Sequence, residues 1–165
     1  MPEVLVAIGS NMGDRVAHLQ AGVSCLEKLT VRPLRLSNVY ESEPIGPGSG
    51  PFLNAVVSFW TSKYPGELLP ILKRCESERG RDPNSPRWTD RQLDMDIIGW
   101  GRRKFRTAEL QVPHASYHDR LFVLLPLRDV SPAWTDPATD RSIDELVASA
   151  MPMQIQATGY KLKGA

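Results

Sequence analysis

The sequence predicts an α+β fold: an antiparallel sheet carrying helices. Three observations predict it. Val4-Leu5-Val6-Ala7-Ile8 is a continuous apolar run of the kind that forms a central strand. Two segments, 16–29 and 65–80, space their apolar residues as helices do. Between them and after them lie runs with strand character, the clearest being 93–97, where Leu93, Met95 and Ile97 alternate with Asp94 and Asp96.

Taken in order, the first strand ends in Gly9-Ser10-Asn11-Met12-Gly13-Asp14, a turn that opens the first helix. Val16, Leu19, Val23, Leu26 and Leu29 form that helix's apolar stripe. A turn of this kind can offer backbone N–H groups to a phosphate, but taken by itself a plain strand-to-helix connection is the favoured reading. Leu34, Leu36, Asn38 and Tyr40 alternate with Arg35, Ser37 and Val39, which predicts a second strand. Residues 43–51 contain three prolines and three glycines and must be a loop. It exceeds the two to five residues of an ordinary hairpin connection, a length often tied to function. A return strand follows over 52–61. Asn54 stands among its apolar residues, either satisfying backbone groups or reading the polar edge of a ligand.

Pro65-Gly66-Glu67 opens the second helix, with proline in the first turn. Leu68, Leu69, Leu72 and Cys75 are its buried stripe, and it ends near Gly80. A second loop, 81–92, carries three arginines and Trp88 and leads into the strand 93–100. The order strand–helix–strand–strand–helix–strand is the ferredoxin-like βαββαβ arrangement, with two helices on one sheet face. C-terminal additions follow. They are a basic turn at 101–106, an extended 110–114, an apolar helix over 121–127 interrupted or ended at Pro126, a short helix over 142–150 capped by Ser142 and Glu145, and an edge strand at 153–157. The last residues are expected to be loose.

The bulk properties bound the function. At 165 residues the chain is expected to be one domain, 1–165, with a sizeable core. Net charge is +1, so no bulk field points to nucleic acid or membrane, and any anion site must be local. Cys25 and Cys75 lack metal-ligand spacing and are expected to be reduced residues of a cytoplasmic protein. The N-terminus carries no secretory pattern, and no apolar run is long enough for a membrane span.

The chemistry-bearing stretch is Arg87-Trp88-Thr89-Asp90-Arg91-Gln92-Leu93-Asp94-Met95-Asp96-Ile97. As a strand, it buries Leu93, Met95 and Ile97 and puts both carboxylates on the opposite face, roughly 7 Å apart. Two such carboxylates repel. A hard cation such as Mg²⁺, which takes one or two carboxylates plus substrate phosphates, would relieve them, and Arg87 and Arg91 could reach those phosphates. By spacing alone, a solvated strand face with ion pairs is the favoured reading.

A set of motifs in order changes that balance: Ala7-Ile8-Gly9-Ser10-Asn11, Pro44-Ile45-Gly46-Pro47, Phe52-Leu53-Asn54-Ala55, Arg87-Trp88, Arg91, Leu93-Asp94-Met95-Asp96-Ile97 and Val112-Pro113-His114. With them the sequence resembles the 6-hydroxymethyl-7,8-dihydropterin pyrophosphokinase family of folate biosynthesis over nearly its whole length. The resemblance implies pyrophosphoryl transfer from ATP to the hydroxymethyl oxygen of a reduced pterin, releasing AMP. It implies that Asp94 and Asp96 bind two Mg²⁺ ions on the ATP phosphates, and that Arg81, Arg87 and Arg91 contact phosphates or close over ATP. Lys73, Glu76, Trp88, Ile97, His114 and Arg120 map onto nucleotide-site positions. For the pterin, Phe52 and Phe122 match the two sandwiching aromatics, Asn54 the group that reads the amide edge, and Ser42, Glu43, Pro44 and Ile45 the segment lending further hydrogen bonds. Asp94 also faces the pterin, and Trp88 matches an aromatic lid. Partners are then ATP and the pterin, with no nucleic acid or membrane and a monomeric chain. The sequence departs from the family pattern at Lys73, Pro83, Thr89-Asp90, Glu109, Ala115 and Leu121, most of them on the adenosine side. That motivates one alternative, a paralogue that binds pterin or nucleotide with altered chemistry. Another is a ferredoxin-like nucleic-acid module, against which the near-neutral charge and acidic strand face both stand.

Overall fold

The structure, a computed structural model, describes residues 1–44, 50–80, 84 and 90–164. The chain folds as β1 (Glu3–Ser10), α1 (Arg15–Glu27), β2 (Arg35–Leu36), β3 (Tyr40–Ser42), β4 (Phe52–Trp60), α2 (Pro65–Glu78), β5 (Asp94–Trp100), β6 (Phe105–Arg106), β7 (Gln111–Val112), a 3₁₀ turn (Tyr117–Asp119), α3 (Leu121–Val130), α4 (Ile143–Ser149) and β8 (Ile155–Ala157). The main sheet runs β5-β1-β4-β3-β8, with β2 also on β4. All of its strand pairs are antiparallel among the described residues.

Both faces of the sheet are covered, which explains why β1 and β4 read as near-continuous apolar runs rather than alternating ones. On one face, Val4, Val6, Ile8, Val57, Phe59, Met95 and Ile97 pack against Leu19, Val23 and Leu26 of α1 and Leu68 and Leu72 of α2. On the other, Leu5, Val56 and Ile98 pack against Val123, Leu124, Leu127 and Val130 of α3 and Ile143 and Leu146 of α4. The helices are thus not confined to one face. α3 also runs on past Leu127, to Val130, with Pro126 inside it and buried.

Three other expectations are corrected. The predicted strand over 34–40 is broken into β2 and β3. Ser37 replaces a ladder step with its own side chain, its N–H donating to Val56 O at 3.1 Å while its Oγ accepts from Val56 N–H at 2.8 Å. The N–H of Asn38 then turns away to Asp129 Oδ2 at 3.1 Å. Cys25 and Cys75 are joined as a disulfide between α1 and α2, with Cα atoms 6.7 Å apart. Finally, the C-terminal tail is not loose. Gln20 grips Lys163 twice, donating to its carbonyl at 2.7 Å and accepting from its N–H at 3.0 Å, and Leu162 packs on the α1–α2 core.

Among the described residues, no helix is long and apolar enough to cross a membrane.

Candidate active site

Period-2 alternation in β5 buries Leu93, Met95 and Ile97 beneath α1 and α2 and turns Asp94 and Asp96 to the other face. There they reach a cavity of about 210 Å³ whose floor is the sheet and whose far wall is the segment 114–123. The register explains why a cavity exists. Asp94 lies opposite Gly9, and Asp96 opposite Ala7, so the strand beside the carboxylates carries the two smallest side chains available. Gly9 in turn lies opposite Asn54, and Asn54 opposite Tyr40. One row across four strands therefore runs Asp94, Gly9, Asn54, Tyr40.

Asn54 is buried, and its orientation is fixed by Ser42. The Asn54 amide donates to Ser42 Oγ at 2.8 Å, with longer contacts to Tyr40 O and Phe52 O. Its donors are thereby engaged on the β3 side, and its Oδ1 lies toward Gly9. Phe52, two residues earlier on the same strand face, and Phe122, in the first turn of α3, both line the cavity. Glu43 lines its mouth.

Two guanidinium groups and an imidazole also line the cavity. Arg91 is buried and lines the cavity. Its backbone is pinned by Asn11, which accepts from Arg91 N–H at 2.7 Å through Oδ1 and donates its own N–H to Arg91 O at 3.0 Å. The Asn11 amide also donates to Asp90 Oδ1 at 3.0 Å. Arg120 places its guanidinium 5.8 Å from the Phe122 ring centre. His114 follows the cis Val112–Pro113 bond. Its Nδ1 accepts from Ser116 N–H at 3.3 Å, which assigns the ring proton of the neutral imidazole to Nε2.

The cavity thus gathers Ser42, Glu43, Phe52, Asn54, Arg91, Asp94, Asp96, His114, Arg120 and Phe122 of the residues singled out in the sequence. It does not gather four others. The Ile97 side chain lies in the core on the opposite sheet face, and it is Ile98 that lines the cavity. Lys73 is exposed on α2. Glu76 is buried at the edge of β5, where its Oε2 accepts from Met95 N–H at 2.8 Å. Pro44 is exposed outside the cavity lining. Ile45, Arg81, Pro83, Arg87, Trp88 and Thr89 lie outside the described residues.

Several lining residues were missed in the sequence: Ala7, Ser116, Tyr117 and Val123. Tyr117 is the most telling. Burial first, then the nearby Asp136 carboxylate, hold its phenol protonated far above the ordinary value, and it packs edge-on to Trp134 at 5.5 Å. Its position in a 3₁₀ turn between His114 and Arg120 was the available signal.

Two oxygen-only ligands on one strand face, beside minimal side chains, suit a hard cation that shares its coordination with phosphates. That donor set fits Mg²⁺ and does not fit a soft metal.

The family model described as 7,8-dihydro-6-hydroxymethylpterin-pyrophosphokinase (HPPK) matches residues 5–132. The chain belongs to this family. It is similar to the 2-amino-4-hydroxy-6-hydroxymethyldihydropteridine pyrophosphokinases of Bacillus subtilis and Pseudomonas aeruginosa. Identity to the first is 37% over 85% of this chain and 84% of the relative. Identity to the second is 37% over 88% and 90%. A folate synthesis bifunctional protein of Arabidopsis thaliana is 38% identical over 78% of this chain, which covers 27% of that longer protein. Among solved structures, an HPPK-DHPS complex with substrates superposes with a TM-score of 0.69 at 14% identity, over 90% of this chain and 43% of that one. Plasmodium falciparum HPPK-DHPS with STZ-DHP does so with a TM-score of 0.70 at 14% identity, over 89% and 43%. These structures share the fold, and this chain spans less than half of their length.

Proposed function

We propose that this HPPK-family chain transfers pyrophosphate from ATP to 6-hydroxymethyl-7,8-dihydropterin, giving the pterin diphosphate and AMP for folate synthesis. The observation that carries the proposal is the pair Asp94 and Asp96, which share one cavity with an amide, two aromatic rings and three cationic or imidazole groups. Family membership supplies the reaction, and the cavity supplies a division of labour for it.

Asp94 and Asp96 would hold Mg²⁺, taken here as two ions, which supplies charge neutralisation at the phosphates when bound. Phosphoryl-type transfer needs positioning and electrostatics more than covalent work by the protein. Arg91 and Arg120 supply guanidinium groups for phosphate oxygens, and the Nε2–H of His114 supplies a further donor. Arg81, Arg87 and Trp88 belong to the same nucleotide role by family pattern, as do Lys73, Glu76 and Ile97, which act from outside the cavity. Glu76 would do so through the strand it caps. Phe52 and Phe122 would sandwich the pterin ring, an arrangement worth about 0.5–1.5 kcal/mol beyond burial. Asn54, its N–H groups already engaged, presents Oδ1 to a donor on the pterin edge, while Ser42, Glu43, Pro44 and Ile45 frame it. No side chain is assigned as catalytic base.

We read β1–α1–β3–β4–α2–β5 as a ferredoxin-like core, with β6 onward as C-terminal additions, the whole acting as one monomeric domain in the cytoplasm. The Cys25–Cys75 bond is unusual for such a compartment.

The test is AMP release from protein, Mg²⁺, ATP and the reduced pterin. Pterin-dependent AMP is expected. AMP no higher than in a pterin-free control refutes the assignment.

A further inference from the structure

α1 and α2 are joined at a second place besides the disulfide. His18, in the first turn of α1, accepts a hydrogen bond at Nδ1 from Arg79 Nε at 3.0 Å. Arg79 caps the C-terminus of α2, its N–H on Glu76 O, and Gly80 then leaves the helix with φ +101° against the Gln92 amide. Gly13 flanks the far side of the half-buried imidazole. A Cβ on Gly13 would sit 3.1 Å from His18 Nε2. The ring is therefore wedged between the β1–α1 turn and the end of α2.

What that end does is specific. One turn before Arg79, Glu76 holds Met95 N–H at 2.8 Å, and Met95 is the residue between Asp94 and Asp96. Among the described residues β5 is the edge strand of the main sheet, so no strand pairs with its outer N–H groups there. Glu76 supplies that missing hold at the middle of the acidic pair.

The His18–Arg79 bond exists in one protonation state only. Guanidinium is a donor without acceptor capacity, so Nδ1 must carry a lone pair. Protonation puts an N–H there and sets two cations against each other. Among the described residues, the charged groups facing His18 are Arg79 from α2 and Asp14 from the turn before α1. Burial and then Arg79 lower the imidazole's basicity, against a smaller opposing effect of Asp14, so the neutral form is the resident one near neutrality.

We propose that His18 is a pH-sensitive positioning residue: while neutral, it holds the last turn of α2 so that Glu76 keeps Met95, and with it the Asp94–Asp96 pair, in register. Acid releases that hold. This rests on the pyrophosphokinase reading above.

The test compares wild type with His18→Asn, which keeps an acceptor but does not titrate, and with His18→Ala. kcat and both KM values are read at about pH 8 and about pH 5, the latter well below the ordinary imidazole value of about 6.5 because His18 titrates lower than that. Hydrogen exchange of the Met95 amide is read at the same pH values, corrected for intrinsic rates. At the higher pH, His18→Asn should match wild type within about twofold, and His18→Ala should lose about fivefold in kcat, the worth of one ordinary hydrogen bond. At the lower pH, His18→Asn should outperform wild type by a similar factor, and only wild type should lose Met95 protection. A His18→Asn to wild-type ratio that stays constant with pH, or Met95 protection that is indifferent to both substitutions, overturns the proposal. If His18→Ala fails to fold, the wild-type and His18→Asn pair still decides. Absence of pterin-dependent AMP from wild type at the higher pH would instead refute the underlying reaction, while the exchange readings would still judge His18.

Discussion

Gly9→Ala probes the cavity floor with a single methyl group. Gly9 has no positive φ, so alanine can adopt its backbone conformation. The new Cβ would lie 3.5 Å from Phe52 Cδ1, 3.6 Å from Leu53 O and 3.7 Å from Asn54 Oδ1. All three are ordinary contact distances, so the fold has no clash to relieve. Reduced freedom of the unfolded chain should even add about 0.4–1 kcal/mol of stability. For a domain of this size that is a rise in Tm of about 1–4 °C. The same methyl stands between Phe52 and Asn54, where the pterin ring is proposed to lie. An extra methyl in a filled site costs about 1–3 kcal/mol, or roughly 5- to 140-fold in affinity. Calorimetric titration with the pterin, and the pterin KM at saturating ATP, should both show that loss, with the ATP KM far less affected. Gly66→Ala is the control, because nothing lies within 4 Å of a Cβ there. A folded Gly9→Ala protein with an unchanged pterin KM would refute the placement of the ring against Gly9, Phe52 and Asn54.

Asp94→Asn and Asp96→Asn should each cut kcat/KM by at least about a hundredfold, since metal-borne charge stabilisation is worth several kcal/mol. Chelation of Mg²⁺ from the wild type should abolish activity reversibly. Either variant active at wild-type level would remove that residue from the metal site. Alkaline stability should depend on Tyr40, whose phenol is pushed up to about 12 by burial and then by its hydrogen bond to Asp129. The folded state therefore favours the neutral phenol. Its contribution is whole below pH 10, the ordinary tyrosine value, and is lost progressively as pH rises to about 12. Tyr40→Phe should flatten that decline in denaturant titrations, and an unchanged slope would contradict the assignment.

Much of the candidate cavity's lining was legible because it is written locally. Alternation in β5 separates Leu93, Met95 and Ile97 from Asp94 and Asp96, and strand geometry alone then puts both carboxylates on one face. Motif order added the aromatics and Asn54. What stayed hidden depends on partners distant in the chain. Ser37 breaks a strand through Val56, Asn11 pins Arg91 across some eighty residues of sequence, and Gln20 holds a tail that, as a chain end, is expected to be loose. Ile97 shows the converse. It belongs to the family motif, yet its own alternation sends its side chain away from the cavity. Cys25 and Cys75 carry no spacing signal, because their pairing follows from how α1 packs on α2.

The most direct measurement of the central claim follows AMP and pterin diphosphate together, with reduced pterin, ATP and Mg²⁺ supplied to the full chain. The account predicts equimolar products that vanish when pterin, Mg²⁺ or either aspartate is removed. ADP in place of AMP, or AMP formed at the same rate without pterin, would contradict it.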